Sequence, residues 1–136
     1  MRLLSIVYLT LVLCSTNSSA EGTSSETVLQ ETLDAFMNCD VDGFLKYRND
    51  QSIVFGSGWK VQGKEEIKGL IQYIYNEVCE GSENIVSINQ VITHGELSLL
   101  IWSKAPTNTI GLDTLQIRDG VIINQNIHEF IKSDFE

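Results

Sequence analysis

Apolar residues fall at three- and four-residue steps in the first half of this chain and in short extended runs in the second half. Val28, Leu29, Leu33, Phe36 and Met37 share one face of a predicted helix that ends near Cys39. Thr23-Ser24-Ser25-Glu26 ahead of it fits a capping box, with Thr23 as the cap and Glu26 reaching back. Asp40 is placed to cap a short second helix over 41–47, which carries Phe44, Leu45 and Tyr47. Ser52-Ile53-Val54-Phe55 reads as a strand, Gly56-Ser57-Gly58 as a turn, and Trp59-Lys60-Val61 as a second short strand. Ile67, Leu70, Ile71, Ile74, Tyr75 and Val78 then form a single stripe, predicting a third helix over 64–78.

The remainder predicts strands at 85–93, 97–105, 109–118 and 121–131. The breaks are His94-Gly95, Pro106-Thr107-Asn108 and Asp119-Gly120. Asp-Gly between two apolar runs is a strong hairpin signal, because both residues tolerate positive φ. Helices early and strands late predict an α+β fold, with three N-terminal helices packed on one face of a curved antiparallel sheet.

The chain's first twenty residues stand apart. Met1-Arg2 is positive, residues 3–14 are largely apolar, and Ser18 and Ala20 occupy the −3 and −1 positions before Glu21. This is the pattern of a secretory signal peptide over 1–20, leaving a single domain over 21–136 and predicting a secreted protein. No later stretch is long and apolar enough to span a bilayer, so no membrane association is expected after cleavage. The formal charge of −9, with no basic patch, makes nucleic acid an unsuitable partner. Cys39 and Cys79 remain after cleavage, each near the end of a predicted helix; a disulfide and two buried thiols are both open.

The order of elements resembles the NTF2-like superfamily, and within it the SnoaL-like group. Asn38-Cys39-Asp40-Val41-Asp42-Gly43 is similar to the family's helix-turn N-x-G-D-x-D-G. Gly63-Lys64-Glu65-Glu66-Ile67 is similar to G-x-e-x-I, and the stretch Gly111-Leu112-Asp113 through Asp119-Gly120-Val121-Ile122 to D-x-x-x-x-x-D-G-K-I. The resemblance implies a cone, in which a curved sheet wraps a long helix and encloses an apolar pocket. It covers enzymes and non-catalytic modules alike, so it selects no chemistry alone.

Asp113 is the leading candidate for chemistry. Strand alternation sets it on one face with Gly111, Leu115 and Ile117, opposite Thr114, Gln116 and Arg118. A carboxyl among apolar neighbours has its charged form disfavoured and can serve as an acid, a base or an oxyanion donor. SnoaL-like cyclases and steroid isomerases use an aspartate at a similar place. On the last strand, Ile123, Ile127 and Ile131 share a face with Gln125 and Glu129. SnoaL-like proteins often carry a histidine where Gln125 stands, and Gln cannot exchange protons near neutral pH. Steroid isomerisation is rejected: the places for its tyrosine and base hold Thr32 and Gly56 or Ser57.

Trp59, Tyr75 and Leu115 complete the expected ligand-binding set with Gln125; Trp59 is expected near the cone mouth and Tyr75 on the stripe of the third helix. His94 and His128 sit in no metal-ligand spacing, so neither a metal nor another cofactor is expected. Three functions follow. The first is a secreted protein binding a small apolar or amphipathic molecule without chemistry. The second is a cofactor-independent isomerase, cyclase or dehydratase using Asp113 as its acid–base group. The third is an interaction module that forms a homodimer through the outer sheet face.

Overall fold

A computed structural model describes residues 22–79 and 81–131; the expected signal segment lies outside them. Helix α1 spans Ser25–Met37, and Ser24 is its cap, the side chain accepting from the Thr27 N–H at 3.2 Å. The expected Thr23–Glu26 box does not form, because Ser24 already satisfies the donor of the first turn. Helix α2 spans Val41–Leu45, and its first turn is capped as expected, with Asp40 accepting from the Gly43 N–H at 3.0 Å. It stops before Tyr47 because the Tyr47 carbonyl accepts instead from the Ile122 N–H at 2.8 Å, which draws the chain off the helix and onto the sheet.

Strands β1 (Ile53–Gly56) and β2 (Trp59–Gln62) form a hairpin, followed by α3 (Lys64–Val78). The meander is β3 (Ile85–His94), β4 (Leu97–Ala105), β5 (Thr109–Arg118) and β6 (Val121–Ile131). At the β5–β6 turn, Asp119 and Gly120 adopt φ of 50° and 74°, the positive values that a tight two-residue hairpin requires.

All six strands join one sheet in the order β2-β1-β6-β5-β4-β3. The sheet is mixed, which corrects the antiparallel expectation: β1 runs parallel to β6, Val54 opposite Gln125. Alternation along the chain fixes the sense of each strand within the meander. It does not fix the sense of the early hairpin, which a whole helix separates from the meander. The hairpin also falls between α2 and α3, so the helices do not form one N-terminal block.

Two bulges shape the sheet. Ile88 pairs with Trp102 but Gln90 with Ile101, leaving Asn89 as an extra residue. Gln116 pairs with Asn124 but Ile117 with Ile122, leaving Ile123 extra. The second bulge corrects the expected face of β6: Ile122 is fully buried, and Ile123 only half-buried. From Gln125 onward the expected face is kept, since Gln125, Ile127 and Glu129 all line the cavity on the inner side.

The core lies between the helices and the inner sheet face. Val28 and Leu29 of α1 pack with Leu100, Leu115, Ile117 and Ile122. Ile67, Ile71 and Tyr75 of α3 pack with Phe44, Leu45 and Val54. The Cys39–Cys79 disulfide is formed, with Cα atoms 6.4 Å apart, and it joins the end of α1 to the end of α3. The outer face exposes Ile92, Ile110 and Phe130. No helix among the described residues is long and apolar enough to cross a membrane.

Candidate functional site

Between α1, α3 and the inner sheet face lies a cavity of about 130 Å³. Leu33 and Phe36 of α1, Leu70 and Ile74 of α3, and Leu115 and Ile127 of the sheet line it. Its polar lining is sparse and arranged by depth. Glu77, Lys104 and Glu129 are its more exposed members, whereas Asp113 and Gln125 are buried.

Strand β5 alternates without interruption, and Thr109, Gly111, Asp113, Leu115 and Ile117 all point inward as expected. Asp113 is only 5% exposed, and each of its carboxylate oxygens receives a hydrogen bond. The Trp102 indole N–H donates to Oδ1 at 3.0 Å, and the Gln125 amide donates to Oδ2 at 2.7 Å. Burial pushes the carboxyl above its ordinary range. The two hydrogen bonds and the more distant Arg48 oppose that rise, while Glu129 adds to it.

Trp102 is held by a specific accommodation. It faces Gly111 across β4 and β5, and a Cβ at 111 would fall 1.9 Å from the indole Cε2. Only glycine leaves the indole room to lie over β5 and direct its N–H at Asp113, two residues along the same strand.

Arg48 is the participant that sequence reasoning missed. It follows α2 in a polar-looking segment, yet it is 4% exposed and its Nη2 donates to Gln125 Oε1 at 2.5 Å. The guanidinium rests over the Phe44 ring, 4.6 Å from its centroid. Burial pushes Arg48 down to about 10, and the charge of Asp113 opposes that shift. The segment around Arg48 is fastened to β6 at both ends: Tyr47 accepts from the Ile122 N–H, and the Ser52 hydroxyl donates to the Ile122 carbonyl at 2.7 Å. A buried carboxylate generally needs a cation within reach, and that requirement is the one sequence signal that could have prompted a search for Arg48.

The structure therefore brings Asp113, Gln125 and Leu115 together at the cavity and leaves two expected residues outside its lining. Trp59 is 42% exposed at the β1–β2 turn, its indole covering Gly56 in the way that Trp102 covers Gly111. Tyr75 is buried in the core beside Phe36, and its hydroxyl donates to the Ala35 carbonyl at 3.4 Å. Burial raises its phenol pKa. Among the described residues, no three His, Cys, Asp or Glu side chains come together.

A curved mixed sheet closed by helices over an apolar cavity is the NTF2-like fold, and solved structures bear this out. An NTF2-like protein from Cytophaga hutchinsonii superposes with a TM-score of 0.63 at 13% identity, covering 82% of this chain and 94% of that one. A SnoaL-like protein from Burkholderia thailandensis gives 0.64 at 13% identity, with coverages of 77% and 93%. An LEH-like epoxide hydrolase from M. tuberculosis gives 0.61 at 16% identity, with coverages of 76% and 80%. At such identities the likeness establishes the fold and carries no activity across. No family model matches the sequence, and no curated protein does.

Proposed function

We propose that this chain binds a small, mostly apolar molecule in the cavity, with Asp113 receiving its polar group. The observation that carries the reading is a buried carboxylate set in an apolar lining, each oxygen aimed by a donor. Apolar walls supply affinity through burial, and one fixed polar group supplies orientation. The cavity's volume of about 130 Å³ suits a ligand built on one ring; an engineered cavity of ~150 Å³ takes up benzene.

Binding rather than turnover is favoured because Gln125, the neighbour of Asp113, cannot pass a proton near neutral pH. The raised pKa of Asp113 supports the second reading, a cofactor-independent isomerase or lyase in which it exchanges the proton alone. We also propose that the protein works after export. The 1–20 pattern and the Cys39–Cys79 disulfide, a bond that persists in oxidising compartments, both support that reading.

Trp102 lines the cavity and Trp59 does not, so a Trp59→Phe protein reports on the cavity by its own fluorescence. Titration with single-ring compounds should give a saturable change in Trp102 emission. Ile127→Phe, which fills the space, should remove it. No saturable change with any such compound at millimolar concentration overturns the binding reading.

A further inference from the structure

Behind Asp113 the polar groups are ordered by what each can donate. Arginine has donors and no acceptor. The Gln125 oxygen must therefore face Arg48, and its amide N–H must face Asp113, as the 2.5 Å and 2.7 Å contacts place them. The second carboxylate oxygen faces the indole N–H of Trp102. Both hydrogen-bond partners of the carboxylate are thus donors, and what it offers the cavity is acceptor capacity.

Arg48 is the source of this order. Its Nε and Nη1 have no hydrogen-bond partner among the described residues, and its Nη2 bonds to Gln125. A buried cation needs a counter-charge, and Arg48 reaches that of Asp113 across the Gln125 amide. The segment from Tyr47 to Ser52 is fastened to Ile122 at both ends, which fixes the backbone that carries Arg48 against β6.

We infer that Arg48 is a positioning residue that, through Gln125, fixes Asp113 as an acceptor, so that the cavity selects single-ring ligands bearing a donor, a hydroxyl or protonated amine, over ligands bearing acceptors alone. The inference rests on the binding reading given above. The rim agrees with it, since Glu77 and Glu129 outnumber Lys104 there.

The test uses benzyl alcohol, benzylamine, anisole and toluene, titrated into the Trp59→Phe protein at neutral pH and followed by Trp102 emission and calorimetry. The alcohol and the amine should bind at least ~tenfold more tightly than anisole and toluene. Arg48→Met should bring all four to within about threefold, mainly by weakening the two donors, and Arg48→Lys, which keeps a buried cationic donor, should restore the preference. A merely structural role for Arg48 would weaken all four ligands together and leave their ratio intact, and that result overturns the inference. If Arg48→Met does not fold, the near-isosteric Asp113→Asn takes its place, and an unchanged donor preference there is equally fatal. Toluene binding without donor preference in the parent sinks the inference alone. Silence from all four ligands sinks the binding reading with it.

Discussion

Trp102 and Gly111 face each other across β4 and β5, and the indole fills the space that any side chain at 111 would need. The pairing couples a packing requirement to a polar one, because the same indole donates to Asp113 at 3.0 Å. Gly111→Ala should therefore displace the ring and strip one donor from a buried carboxylate. A loss of about 2–4 kcal/mol is expected in urea unfolding, with a shift in Trp102 emission.

Trp102→Phe separates the two effects. It keeps a ring over Gly111 and removes the N–H, so the expected loss is about 1–3 kcal/mol. Asp113 should then titrate at higher pH than in the parent, since one of the bonds holding its pKa down is gone. Carboxyl NMR titration of both proteins measures the change.

The pH dependence of stability has a definite sign at this position. Burial raises the folded pKa of Asp113 above its ordinary value of 3.8, so the folded state holds this proton more tightly than the unfolded chain. The stability it contributes is complete below 3.8 and is lost as pH rises through the folded value. Relative to Asp113→Asn, the parent should therefore lose stability as pH climbs through that window. A constant difference between about pH 3 and pH 8 contradicts the shift.

The Cys39–Cys79 bond closes a loop across 40 residues of sequence. Reduction, or Cys39→Ser with Cys79→Ser, should cost about 2–4 kcal/mol. Thermal unfolding with and without reductant gives the value.

The β6 bulge can be tested through its two isoleucines. Ile122 is fully buried and Ile123 half-buried, so Ile122→Ala should cost about 2–4 kcal/mol and Ile123→Ala clearly less. Equal losses would show that the register lacks the bulge.

Much of this architecture was legible in the residue pattern. The third helix and the last three strands have the expected boundaries, because long stripes and alternations end at strong turn signals such as Asp119-Gly120. Asp113 was legible because β5 alternates cleanly along its whole length. Its setting was not. Arg48 meets Gln125 across 77 residues of sequence, and an arginine beside Asn49 and Asp50 reads as solvated. The bulge at Ile123 leaves no mark in composition, so one-residue reasoning about β6 went astray before Gln125. Trp59, expected near the cone mouth because it follows a glycine-rich turn, lies at the hairpin tip outside the cavity lining, whereas Trp102, in the middle of β4, lines the cavity.

The sheet order has a consequence for how the molecule is made. Among the described strands β6 is the last to be made, yet it lies between β5 and β1 in the finished sheet. Until it emerges, two strands await the same neighbour, and the wall that carries Gln125 does not exist. The cup therefore cannot close before residues 121–131 have been made, and a chain cut short of residue 121 would present two unsatisfied edges to its surroundings.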